Sequence, residues 1–141
     1  MAENYCSLVA PKALVFVVDD DAGSQLLVET LLESDGYGVE SARTVSAARQ
    51  RLLELTPDLI LMDIELPDGN GLALTAWIKQ NRRTSSIPVV ALTSHVRLDQ
   101  RTAASEAGCA GFISKPIGSS RFVKQVEAFL AARSSRPANR P

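Results

Sequence analysis

Residues Leu14 to Leu27 read LVFVVDDDAGSQLL. The run from Leu14 to Val18 is apolar and rich in β-branched residues, as a buried strand requires. Asp19, Asp20 and Asp21 follow at once, and then GSQLLVETLLES sets Leu26, Leu27, Thr30 and Leu31 on one side of a helix. The stretch therefore reads as strand, acidic loop, helix. Three neighbouring carboxylates at the end of an apolar strand repel one another, so something must hold them there.

The same unit recurs along the chain. ALVFVV (13–18), YGVESA (37–42), DLILMD (58–63), IPVVALT (87–93) and GFISK (111–115) read as strands. Between them, TVSAARQRLLEL carries Val45, Ala48, Leu52 and Leu55 at helical spacing, and GLALTAWIKQNR carries Leu74, Trp77 and Ile78. SSRFVKQVEAFLAARS does the same with Phe122, Val126, Phe129 and Leu130. RLDQRTAASEAG is helical by propensity but poor in large apolar residues, so it is expected to dock weakly. Strands apolar on both faces and separated by helices imply a parallel sheet covered on both sides, a doubly wound α/β fold. SDGYG (34–38), LPDGNG (66–71) and EAGCAG (106–111) supply the turn glycines.

Composition fits one domain: of 141 residues, 45% are hydrophobic and 22% charged, ordinary globular content. Fifteen Lys and Arg against sixteen Asp and Glu leave a net charge of -1, with no basic excess for a nucleic-acid or acidic-membrane partner. MAENYCSLVAPK lacks the pattern of a signal peptide and no apolar run is of spanning length, so a cytoplasmic location is expected. Cys6 and Cys109 have no metal-like spacing and receive no role. The expected organisation is an N-terminal segment (1–11), one domain (12–132) and a flexible Arg- and Pro-containing tail (133–141).

In doubly wound sheets, ligands bind at the carboxyl ends of the strands. Those ends carry Asp19 and Asp20, Asp63, Thr93, and Lys115 followed by Pro116. Acids, a hydroxyl and an ammonium converge on one rim from four strands, although packing requires none of them to be polar.

This constellation resembles the receiver domain of bacterial two-component response regulators, over about Ala13 to Leu130. VVDDD matches the family's acid pair, DLILMDIELPDGNGL its phosphoacceptor strand and loop, VVALTSH its hydroxyl position and GFISKPI its lysine. The resemblance implies a flavodoxin-like sheet in strand order 2-1-3-4-5. It implies Asp63 as the phosphorylated residue, and Mg2+ held by Asp19, Asp20, Asp63 and the backbone carbonyl of Glu65. Thr93 becomes the switch hydroxyl and Lys115 the phosphate-binding ammonium. Pro116 is a candidate for a cis peptide that aims Lys115 inward. The ion would cancel the repulsion in the acidic loop, so stability should rise with magnesium.

The resemblance also implies a second state, in which the hydroxyl of Thr93 bonds the phosphoryl group and the aromatic three residues before the lysine turns inward. Phe112 stands there in place of the common tyrosine; without a hydroxyl, burial is its only preference. Glu65 and His95 match variable positions that flank the phosphoryl group and tune its lifetime, against a plain reading of solvent exposure.

The implied partners are a sensor histidine kinase or histidine phosphotransfer protein, and a downstream protein target on the face of the fourth helix, fifth strand and last helix. A homodimer is compatible; nucleic acid and membrane are not expected. With no output domain after the last helix, a stand-alone receiver is expected, a phosphoacceptor rather than an enzyme acting on other substrates. Two rivals keep a place. One is a receiver that binds partners without phosphate, against which the full residue set argues. The other is a phosphatase of the haloacid dehalogenase class, suggested by the D-x-D spacing of Asp19 and Asp21; it needs a further acidic pair after the lysine, where only Glu127 is found. A dinucleotide site at DGNGLAL (68–74) fails for want of a third glycine.

Overall fold

The computed structural model describes residues 11–93, 98–114 and 119–134, with residues 93, 98–101, 119–120 and 133–134 described by their backbone alone. Strands β1 (Leu14–Val18), β2 (Gly38–Ala42), β3 (Leu59–Asp63), β6 (Val89–Thr93) and β7 (Gly111–Ser114) build one parallel sheet in the order β2-β1-β3-β6-β7. Counting the strands of this sheet alone, that is the expected order 2-1-3-4-5. Helices α1 (Ala22–Ser34), α2 (Val45–Leu52), α3 (Gly71–Gln80), α4 (Leu98–Ala107) and α5 (Ser119–Ser134) alternate with them. Two short strands, β4 (Glu65–Leu66) and β5 (Gly69–Asn70), form an antiparallel hairpin between β3 and α3, where the sequence reads as a simple glycine-rich loop. No helix of the described residues is long and apolar enough to cross a membrane.

Strand β1 shows why its sequence carries no polar residue. Its side chains alternate between faces. Val15 and Val17 pack with Val28 and Leu32 of α1 and with Phe122 and Val126 of α5. Phe16 and Val18 point the other way, toward Ala48 and Leu52 of α2 and Leu74 and Ile78 of α3. Both faces are covered, so neither tolerates the polar half of an ordinary amphipathic strand.

Helix starts are set by short polar side chains that satisfy otherwise unpaired N–H groups. Ser24 N donates to Asp21 Oδ2 at 2.9 Å, Ala47 N to Thr44 Oγ1 at 3.0 Å, and Leu72 N to Asn70 Oδ1 at 2.7 Å. Asp21, the third acid of the loop, is thus the N-cap of α1. Gly36, at φ 94°, takes the left-handed turn that follows α1.

One expectation is corrected. The buried face of α1 is Gln25, Val28 and Leu32, with Leu31 half-buried beside it, whereas Leu26 and Leu27 are 64% and 40% exposed and Thr30 is exposed. Apolar content alone turns this helix the wrong way, because the residue that faces inward in its first turns is the polar Gln25. The other helices follow their sequences: Ala48, Leu52, Leu74, Ile78, Phe122, Val126 and Leu130 are buried. In α4, Ala104 is buried while Thr102, Ala103, Ser105 and Glu106 are exposed, in keeping with its scarcity of large apolar residues.

Candidate functional site

The order β2-β1-β3 means that the chain leaves β1 toward one edge and later returns to β1's other side as β3. The crevice beyond the carboxyl ends of β1 and β3 is the place where such sheets bind ligands. Val18 pairs with Met62, so the next residues of the two strands, Asp19 and Asp63, enter that crevice together.

Asp19 is fully buried and Asp63 is 9% exposed, while Asp20 is exposed to solvent. One carboxylate oxygen from each lies within 4.8 Å of the other two. The surrounding main chain orients them. Asp21 N donates to Asp19 Oδ1 at 3.0 Å, Asp19 N donates to the carbonyl of Ala42 at 3.1 Å, and Glu65 N donates to Asp63 Oδ1 at 3.3 Å. From below, Gln25 Nε2 donates to the carbonyls of Asp19 at 3.3 Å and Ala42 at 3.2 Å, and Arg43 Nε donates to Gln25 Oε1 at 3.3 Å.

The donor set decides what such a cluster can hold. Three carboxylates, with no sulfur or imidazole in the group, suit a hard divalent cation. Magnesium, which keeps several waters and takes few protein ligands, fits a site that is half buried and half open. The cluster could hold a metal ion, whose charge would relieve the crowding of like charges that the sequence raises as a problem.

The remaining sequence-derived residues are placed as follows. Thr93 is the last residue of β6, one step beyond Leu92, the strand partner of Asp63, so its backbone reaches the same rim. Phe112 lies in β7 opposite Ala91 and is half-buried. Glu65 is exposed in the hairpin. Lys115, Pro116 and His95 lie outside the described residues, as do residues 1–10 and 135–141. One contributor escapes the sequence reading: Gln25, because a lone polar residue on an apolar helix reads as solvent-facing.

Comparison with known proteins agrees with this geometry. Residues 15–127 match the response regulator receiver domain family. The polar-differentiation response regulator DivK of Brucella ovis is 35% identical over 116 residues, spanning 82% of this chain and 94% of that protein. Its counterpart in Brucella anthropi is 36% identical over 120 residues, spanning 85% and 97%. A CheY-like response regulator receiver domain protein of Methanospirillum hungatei superposes with a TM-score of 0.80 at 25% identity, covering 86% of this chain and 95% of that one. The chemotaxis response regulator CheY4 of Vibrio cholerae reaches 0.79 at 22% identity over 82% and 97% of the two chains, a likeness of fold. Sheet order, acidic crevice and matched sequence lead to one conclusion: the chain belongs to the response regulator receiver domain family of two-component signalling.

Proposed function

We propose that this chain is a single-domain response regulator that accepts a phosphoryl group on Asp63 in a Mg2+-dependent reaction and thereby switches a protein-binding surface. The observation that carries the reading is the convergence of Asp19, Asp20 and Asp63 within 4.8 Å at the carboxyl ends of β1 and β3. That the curated relatives are spanned to 94% and 97% of their length supports the single-domain part. Residues 12–132 would form the receiver, with a segment before it and a tail after it, although the last helix runs to Ser134, two residues past the expected boundary.

In this reading an oxygen of Asp63 attacks phosphorus in line with the donor bond. The new O–P bond forms as the donor bond breaks, and the leaving group departs with the bonding pair. Asp19, Asp20, Asp63 and the carbonyl of Glu65 would hold Mg2+, which when bound supplies neutralisation of charge on the phosphoryl oxygens. Asp21 N–H keeps Asp19 turned toward the crevice, and Glu65 N–H fixes one oxygen of Asp63. Lys115 adds a point charge to the phosphoryl group, and Thr93 a hydroxyl that reports its arrival. Phe112, half-buried in β7, fills the space this leaves. Glu65 and His95 modulate how readily water removes the group.

The donor is a histidine kinase or histidine phosphotransfer protein, and the output face is α4, β7 and α5, where the described side chains of α4 (102–107) bury only Ala104 and so offer little apolar surface to resist a shift. Intact mass after incubation with acetyl phosphate, with Mg2+ and with a chelator, tests the reading. One added phosphoryl group in wild type with Mg2+, and none in Asp63→Asn, is the expected result; no gain in wild type would overturn it.

A further inference from the structure

Asp68 sits at the tip of the β4–β5 hairpin and reaches across to another element. Its Oδ1 accepts from Val45 N at 2.7 Å and its Oδ2 from Ser46 N at 3.1 Å. These are the first two N–H groups of α2, which the N-cap Thr44, bonded to Ala47 N, leaves unsatisfied. The charge also suits a helix N-terminus. The two bonds hold the Asp68 carboxyl below the usual carboxylate range.

The hairpin is bound just as closely at its base. Gly71 N donates to the carbonyl of Ile64 at 2.7 Å, and Asn70 caps α3. A β-carbon at Gly71 would run into the carbonyl oxygen of Asp63, so the chain returns here to within backbone contact of the candidate acceptor. Glu65 pairs with Asn70, and Leu66 with Gly69, inside the hairpin. At the far end of α2, Arg83 Nη1 donates to the carbonyls of Leu52 at 2.6 Å and Leu53 at 2.7 Å. Helix α2 is thus held at both ends by charged side chains from the segment that follows β3. An Asp that merely capped α2 could come from the residues beside the helix; this one comes from the loop that carries Glu65.

We propose that Asp68 is a positioning residue of the phosphoacceptor site: by tying the hairpin tip to α2, it holds the main chain at Glu65 against Asp63 and so sets the site's affinity for Mg2+. The inference rests on the phosphoacceptor reading of Asp63.

The test compares wild type, Asp68→Ala, Asp68→Asn and Thr44→Ala. Mg2+ binding is read by calorimetry, phosphorylation by acetyl phosphate is followed across Mg2+ concentrations, and thermal stability is the control. Thr44→Ala removes a capping bond from the same helix end but leaves the tether. Asp68→Ala is expected to raise the Mg2+ dissociation constant about tenfold, the size of effect seen when a group supporting a metal ligand is lost. Its phosphorylation is expected to slow at low Mg2+ and recover at saturation. Asp68→Asn, which keeps one acceptor oxygen, should fall between, and it carries the test if the alanine variant does not fold. Thr44→Ala should lower the melting temperature and leave the dissociation constant within twofold of wild type. A wild-type constant in both Asp68 variants, or an equal change in Thr44→Ala, would overturn the proposal and leave Asp68 a helix cap. If wild type itself takes no phosphoryl group, the phosphoacceptor reading fails first and this inference with it.

Discussion

The side-chain amide of Gln25 donates a hydrogen bond to the main-chain carbonyl of Asp19 at 3.3 Å, from a position that is 6% exposed. The same nitrogen reaches the carbonyl of Ala42 at the end of β2, so one residue of α1 ties together the exits of β1 and β2. Removing it leaves buried carbonyls without this donor. Gln25→Ala is expected to destabilise the fold by about 1–3 kcal/mol, measured by urea unfolding; a change near zero would show that the tie contributes nothing.

The rotation of α1 gives a second outcome. Leu32 is fully buried among Val15, Val17 and Val28, whereas Leu26 is 64% exposed. Leu32→Ala should cost about 2–5 kcal/mol through lost burial and a cavity, while Leu26→Ala should stay within about 0.5 kcal/mol of wild type. Equal losses at the two positions would mean that the helix presents the leucine face suggested by its sequence.

Gly71 allows the chain to pass against the carbonyl of Asp63. Gly71→Ala should force β3 and the hairpin apart, lowering the melting temperature and weakening Mg2+ binding together. A folded variant with unchanged Mg2+ affinity would contradict the close approach described here.

Magnesium should stabilise the protein in proportion to its occupancy, by about 2.7 kcal/mol at a hundredfold excess over the dissociation constant. Asp20→Asn removes one of the crowded carboxylates. It is therefore expected to raise stability without metal and to abolish most of the gain on adding Mg2+, as followed by thermal unfolding. A variant that still gained as much as wild type would show that the ion binds elsewhere.

Most of the fold was legible in the sequence for a simple reason. The strands are apolar on both faces because helices cover both, and each glycine-bearing loop marks a change of element. The acidic part of the rim was legible too: polar residues at the ends of buried strands have no packing purpose, and Asp19, Asp20 and Asp63 do come together there. What escaped was set by hydrogen bonding rather than hydrophobicity. Gln25 turns inward because two main-chain carbonyls receive its amide, and this rotates Leu26 and Leu27 out. Asp68 reaches residues more than twenty positions earlier in the chain, a partnership that no local pattern encodes. The hairpin of β4 and β5 is likewise too short to carry an alternating signal.

The central claim is that Asp63 is the residue that becomes phosphorylated. It is tested most directly by treating the protein with acetyl phosphate and Mg2+, reducing it with borohydride, which converts an aspartyl phosphate to homoserine, and mapping the product by peptide mass spectrometry. The account predicts homoserine at position 63 and at no other carboxylate. Conversion at Asp19 or Asp20, or none at all in folded, Mg2+-loaded protein, would contradict it.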